Sequence, residues 1–390
     1  MTRQSPTARH PKKTSRDDSR RWNLLATLQT VAASGATSRA DIARATGLTK
    51  ASVSSIVAEL LDEGLIHEIG TAPSDGGGKP PTLLAIHPRG RDIVAVDLSR
   101  RPIRAALVGL GGPIHHRVSA PEPGVTGPAA LDAALELVAR CLDRAEAPVL
   151  GIGVGTPGML DPDGTVIEAT NLDWHGVAVG AELARRFGLP VSVGNDAHVS
   201  ALAEMRSHPR DSLLLVKIGQ GIGSGLVLNG VLHTGDRFVA GEIGHVVVDR
   251  DGAICRCGNR GCLETVASVP AIVERAAGVK DPDLPWDAMA LAARFGEATV
   301  REAIDVAGRA IGEMLATAAA LLDVTHIVIA SDLANSSEAI VDAVERSLTA
   351  GIHPSSVGHI EVTAASARSD LVLAGAVAMV LRDELGVVLR

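Results

Sequence analysis

The spacing of hydrophobic positions changes character along the chain. Residues 1–19 show no apolar period and are rich in Ser, Thr, Pro and basic groups, which predicts a disordered arm. From Arg20 onward, Trp22, Leu24, Leu25, Leu28 and Val31 form a helical stripe that ends before Gly35. Ser38 is placed to cap a short helix, Arg39 to Thr46, that buries Ile42 and Ala45. Gly47-Leu48 makes a turn, and Thr49 caps a second helix to about Glu63, with Val53, Ile56, Val57, Leu60 and Leu61 inward. Gly64–Ile69 and Thr82–Ile86 then alternate as a two-stranded ribbon, whose tip Asp75–Pro81 is glycine-rich and carries Lys79.

Helices joined through a glycine turn and followed by a ribbon make the winged helix-turn-helix plan. Thr49, Lys50, Ser52, Ser54 and Ser55 sit at the start of the second helix of the motif, where short polar or basic groups reach base edges and phosphates in a major groove. Arg39 at the head of the preceding helix and Lys79 at the ribbon tip are the further DNA-contact candidates. A tri-helical bundle also serves as a structural or protein-binding module; the ribbon, its glycine-rich tip and the local positive charge favour DNA binding over it. Residues 1–90 hold 12 Lys+Arg against 8 Asp+Glu, a balance of +4; the remainder holds 25 against 37, a balance of −12, which together give the net −8. A basic front on an acidic body points to an anionic partner for the front alone.

After His87-Pro88 the pattern turns to Gly- and Val-rich strands between helices. Ile93–Leu98 with Ala105–Val108, and Leu213–Ile218 with Gly225–Leu228, read as hairpins. Val149–Val154, Val191–Val193 and His326–Ile329 read as buried strands, and 128–145 and 299–322 as helices. Hairpins alternating with helices, twice over, predict two α/β lobes around a cleft. The expected division is an arm over 1–19, a winged helix over 20–87 and a two-lobed body over 88–390. With three Trp, three Phe and no Tyr, the core must be aliphatic. No apolar run approaches the ~20 residues of a membrane span and the start lacks a signal-peptide apolar region, so no membrane partner and a cytoplasmic location are expected.

Three of the four cysteines fall in one eight-residue segment. His245, Cys255, Cys257 and Cys262 follow His-x9-Cys-x-Cys-x4-Cys, a complete tetrahedral set for a structural Zn2+ with no position left for water. Cys141 stands alone in a helical pattern and reads as a small buried hydrophobe. Glu242 and Glu264 flank the metal segment, which would pin polar groups around one pocket.

These motifs resemble a known family. Ile218–Leu226 (IGQGIGSGL), Gly235 and Gly241-Glu242-Ile243-Gly244-His245 are similar to the signature of the ROK family of sugar kinases and sugar-responsive repressors. So are the Cys segment with its trailing Glu264, Gly153–Gly158, Asn171–Trp174 and Gly194–Ala197. The resemblance spans roughly 20–385, and the winged helix in front is similar to the repressor branch. It implies an actin-like, ribonuclease-H-like two-lobed sugar kinase fold behind the winged helix. It implies sugar contacts at Asn195, Asp196, Glu242, His245 and Glu264, with Gly155 and Asn171 from the adjoining motifs. In the kinases the aspartate matching Asp196 is the catalytic base. A ring of sugar hydroxyls, each donor and acceptor, suits such carboxylates and amides, and His245 can hold the metal through one ring nitrogen and face the sugar with the other.

The sequence departs from the kinases at two nucleotide elements. Where a kinase has Asp-x-Gly-x-Thr, this chain has Asp97-Leu98-Ser99-Arg100-Arg101-Pro102; where a kinase has a Gly-rich turn after the last strand, it has Ala330-Ser331-Asp332-Leu333. Side chains would crowd both turns, and Pro102 removes a backbone donor. The leading expectation is therefore a regulator rather than an enzyme: a homodimer or homotetramer on an inverted-repeat operator in double-stranded DNA, answering to a sugar or sugar derivative. The rivals are an ATP-dependent sugar kinase with a DNA-binding head, for which Asp196 would be catalytic, and a repressor released by a partner protein.

Overall fold

The computed structural model describes residues 16–73, 80–122, 124–207, 210–366 and 370–386. Most of the expected arm, and the ribbon tip with Lys79, lie outside the described residues.

The front of the chain forms α1 (Arg16–Ser34), β1 (Thr37–Ser38), α2 (Arg39–Thr46), α3 (Lys50–Asp62), β2 (Ile66–Thr71) and β3 (Thr82–Ile86). The sheet order is β1-β3-β2, so the ribbon gains a third, very short strand. Ser38 caps α2 in a reciprocal box: its hydroxyl accepts from the Asp41 backbone N–H, and the Asp41 carboxylate accepts from the Ser38 N–H. Gly47, at φ 70°, ends the helix in the left-handed region. Thr49 Oγ1 then accepts from Ser52 N at 3.1 Å to open α3.

Three expectations need correction here. Helix α1 begins at Arg16, inside the segment expected to be a disordered arm. Trp22 is 64% exposed, because it lies six residues before Leu28, about 240° around the helix from the buried face. Ala45 falls in the last turn of α2 and is exposed, and Ala43 packs inward instead.

The first lobe follows: β4 (Asp92–Asp97), β5 (Arg104–Gly109), β6 (Ile114–Ser119), α4 (Gly127–Leu142), β7 (Val149–Thr156), β8 (Met159–Leu160), β9 (Val166–Ala169), β10 (Trp174–Val177), α5 (Val179–Phe187) and β11 (Val191–Asn195). Helix α6 (Asp196–Ser207) leads into the second: β12 (Leu213–Ile218), β13 (Ile222–Leu228), β14 (Val231–His233), α7 (Leu263–Ala267), α8 (Val269–Ala277), α9 (Ala288–Phe295), α10 (Glu297–Leu322), β15 (His326–Ser331), α11 (Ser337–Gly351) and β16 (Glu361–Ala364). The last helix is α12 (Leu371–Leu385). The two main sheets run β11-β7-β4-β5-β6 and β14-β13-β12-β15-β16. Each is an antiparallel three-strand meander extended by two parallel strands, so one plan is used twice.

Aliphatic side chains supply the cores, as the lack of aromatics required. The first lobe packs Val94, Val96, Leu137, Val138 and Ile152 around Trp174, whose indole N–H donates to Gly127 O at 2.8 Å. Cys141 is fully buried there, and burial pushes its thiol up to about 11, which leaves it inert at neutral pH. The winged helix is not a separate bead. Leu28, Val31, Ile42, Val57 and Leu84 share one apolar cluster with Ile93 and Ala106 of the first sheet and with Leu373, Ala376 and Val380 of α12. Helix α12 in turn crosses α6 at Gly375, where a Cβ would meet Val199 O at 1.8 Å. That close approach is possible only without a side chain.

Candidate functional site

The site is built from strand ends, helix starts and the loops that join them. Strand β11 ends at Asn195, and Asp196 opens α6; both face a cavity of about 460 Å³ between the lobes. Asn171, Asn195, Asp196, Glu242, His245 and Glu264 all line this cavity, so six of the seven sugar-contact candidates converge. The exception is Gly155. It lies in the middle of the first sheet, where a Cβ would strike Val372 Cγ1 at 2.3 Å, and it does not reach the cavity. Pro157 and Gly158, just beyond it, do.

Part of the polar lining is already engaged in holding the site. Asn195 Oδ1 accepts from Ala197 N and His198 N, and its amide donates to Gly158 O at 3.0 Å. Glu264 Oε2 accepts from Ile222 N at 3.3 Å, and Arg256 lies 3.6 Å from its other oxygen. Buried His198 donates through Nε2 to Ala240 O at 2.7 Å, which ties α6 to the loop that presents Glu242. Burial holds the Glu242 carboxyl above the ordinary range, with Asp196 and Glu264 pushing the same way and His245 opposing.

Sequence reasoning missed Lys217, Ser99, Gln220 and Arg256, which also line the cavity. Lys217 Nζ lies 2.9 Å from Asp196 Oδ2. One signal was available: a lone lysine near the end of the otherwise apolar strand Leu213–Ile218.

The metal candidates come together as expected. Ligand atoms of His245, Cys255, Cys257 and Cys262 lie within 4.8 Å of one another, and none of the cysteines is in a disulfide. His245 Nδ1 is 3.6 Å from Cys255 Sγ, and Cys257 Sγ is 3.7 Å from Cys262 Sγ. A tetrahedral Zn2+ site with ordinary bond lengths has ligand–ligand edges of about 3.3–3.8 Å, so this donor set fits a bound metal. Burial, with the neighbouring sulfurs, pushes the Cys262 thiol up to about 12. A cation would therefore be needed to hold all three sulfurs as thiolates at neutral pH. The other imidazole nitrogen, Nε2, points toward Glu242 Oε2 at 3.8 Å, so His245 bridges the cysteine cluster and the cavity.

On the front of the molecule, Thr49, Lys50, Ser54 and Ser55 are exposed along the start of α3. Ser52 is half-buried with its hydroxyl 2.9 Å from that of Thr49. Arg39 is drawn 3.4 Å from Glu68 of β2, so it braces the ribbon as well as facing outward.

Comparison with known proteins is consistent with this layout. The sequence profile of the MarR family matches residues 19–76, and that of the ROK family matches residues 93–383. The N-acetylglucosamine repressor of Escherichia coli O6:H1 is 30% identical over 327 residues, 80% of each chain. The xylose repressor of Bacillus subtilis (strain 168) is 30% identical over 244 residues, 61% of this chain and 63% of that protein, so the match spans under two thirds of that relative. A crystal structure of a ROK family transcriptional regulator, a homologue of the Escherichia coli MLC protein, superposes with a TM-score of 0.79 at 26% identity, over 94% of this chain and 97% of that one. A winged helix-turn-helix on a duplicated, actin-like sugar kinase fold, with the family's profile running through both lobes, makes this chain a member of the ROK family.

Proposed function

We propose that the protein is a sugar-responsive transcriptional repressor of carbohydrate uptake or catabolism genes, located in the cytoplasm. One observation carries the reading: a basic winged helix shares an apolar cluster with α12, the helix that crosses α6, and α6 opens on the cavity aspartate Asp196. A ligand that moves the start of α6 has a packed route to the DNA-binding head. The front runs over 20–87 and the sugar-binding body over 88–390. Lys50, Thr49, Ser54 and Ser55 contact the operator, and Ser52, Arg39 and Lys79 are the further DNA-contact candidates. Asn171, Asn195, Asp196, Glu242, His245 and Glu264 contact the sugar. Zn2+ held by His245, Cys255, Cys257 and Cys262 fixes the loop between Glu242 and Glu264. The two relatives' names suggest xylose and N-acetylglucosamine as the first effectors to test. A homodimer or homotetramer would place paired heads on an inverted repeat.

The reading as a non-enzyme is supported by both nucleotide turns. Ser99 donates through its backbone N–H and its hydroxyl to Asp97 Oδ1 (3.0 and 2.6 Å), which closes the first turn on itself. Arg100 reaches across to Asp332 in the second at 2.8 Å, where a nucleotide would need space. The kinase alternative keeps Asp196 as its base, so it predicts ATP-dependent phosphorylation of a sugar that Asp196→Asn abolishes.

The test is selection of genomic fragments by the purified, zinc-loaded protein at a stated moderate salt concentration. A shared inverted repeat among the retained fragments is the expected result. No enrichment by folded protein would overturn the regulator reading and leave the kinase assay to decide.

A further inference from the structure

Six charged side chains meet where the two lobes face each other. Arg104 donates to Asp97 Oδ2 through Nη2 at 2.9 Å and Nε at 3.1 Å. Lys217 Nζ lies 2.9 Å from Asp196 Oδ2 and 3.7 Å from Asp332 Oδ2, and Asp332 Oδ1 lies 2.8 Å from Arg100 Nη2. Asp97 is fully buried, and the side chains of Lys217, Asp332 and Asp196 are 10%, 7% and 14% exposed. Three cations thus face three carboxylates in a setting where an unpaired charge would be expensive. The members come from both sides of the cleft. Asp97, Arg100 and Arg104 belong to the first sheet and its first turn, Lys217 to the second sheet, Asp332 to the turn just after β15 of that sheet, and Asp196 to the helix between them.

Lys217 is the centre of this arrangement. Burial alone would favour the neutral amine, but Asp196, Asp332 and Asp97 outweigh it and raise its pKa, so the ammonium persists. It cannot swing away without leaving buried carboxylates uncompensated. Among the described residues, Asp196 Oδ1 meets only the N–H of its own neighbour, Ala197, at 3.1 Å, so lone pairs remain for a ligand.

Resting on the sugar reading of the cavity, we propose that Lys217 is a positioning residue for sugar recognition. It fixes Asp196 as a hydroxyl acceptor, and through Asp332 and Arg100 it ties that carboxylate to the opposite lobe. The chain Asp196–Lys217–Asp332–Arg100 is a charged strut across the cleft. Because its charges balance internally, the lobes are held together without the phosphates and divalent cation that a bound nucleotide would bring. The pocket is thereby set for a sugar alone.

The experiment is calorimetric titration of full-length, zinc-loaded protein with D-xylose, D-glucose and N-acetyl-D-glucosamine in turn. Wild type, Asp196→Asn, Lys217→Met and the double variant are compared, with zinc content and thermal midpoint as checks on folding. For the sugar that wild type binds, Lys217→Met should weaken affinity roughly tenfold, as expected when a charge-assisted contact loses its geometry. The double variant should be no weaker than Asp196→Asn, because the lysine acts through the aspartate. Unchanged affinity in Lys217→Met, or losses that add in the double variant, would overturn the proposal while leaving the sugar reading intact. If Lys217→Met does not fold, Arg100→Ala, at the more exposed end of the strut, serves instead. A loss of about threefold that does not add to that of Asp332→Asn supports the strut, and unchanged or additive affinities refute it. Folded wild type that binds none of the three sugars would sink the sugar reading itself, and this proposal with it.

Discussion

At the scale of single residues, the side chains divide by what can reach them. Lys50 is exposed at the start of α3 and lies far along the chain from the cavity residues. Lys50→Ala is expected to weaken operator binding about tenfold and to lower the salt dependence by about one counterion, while leaving sugar affinity unchanged. Titration of an operator fragment at several salt concentrations checks this, and an equal loss of sugar affinity would count against the assignment. Cys257 is exposed yet belongs to the candidate metal-binding cluster. Cys257→Ser, or a strong chelator, should release zinc and abolish the response to sugar, since the loop carrying Glu242 and Glu264 loses its anchor. Metal analysis with operator binding in the presence of sugar reads both effects. The metal set was legible because close Cys and His spacing is itself the constraint. Arg100 was not, because its partner Asp332 lies more than two hundred residues away in the other lobe, and Lys217 was not, because a lone lysine in an apolar strand does not show which carboxylates the fold will bring to it. Gly155 was misplaced for a related reason: a motif shows that a glycine is needed, but not whether a ligand or a neighbouring Val372 needs the space.

At the scale of elements, the capping residues set the boundaries and the crossings set the coupling. Ser38, Gly47 and Thr49 announced α2 and α3 in the sequence, and the helices start and stop there. Ser38→Ala removes the capping box and should cost about 1 kcal/mol, read as a lower thermal midpoint with the cavity still able to bind sugar. The α6–α12 crossing could not be read in advance, since a glycine inside an apolar helix looks merely permissive. Gly375→Ala drives a methyl toward Val199 O and is expected to cost about 1–3 kcal/mol. Because the head packs on the same helix, this variant should also alter operator affinity in the absence of sugar. A thermal melt and a binding isotherm together check it, and a change in neither would show that the crossing tolerates separation.

At the scale of the whole molecule, the duplicated sheet plan was visible as two hairpin-and-helix runs, and the basic front as a local charge excess over an acidic body. What the linear pattern did not show is that head and first lobe share one core. The ribbon, α1, the first sheet and α12 meet in a single apolar cluster. A head fused this way cannot be indifferent to the body's conformation, and a ligand shifts the DNA-binding equilibrium only by its differential affinity for the two states. The most direct test is therefore operator affinity, measured at fixed salt on a fragment recovered by selection, with and without a saturating sugar shown by calorimetry to bind. The account predicts a weakening of at least about tenfold, corresponding to about 1.4 kcal/mol of coupling, with the sugar binding more weakly to the DNA complex by the same factor. Operator affinity unchanged by a sugar that demonstrably occupies the cavity would contradict it.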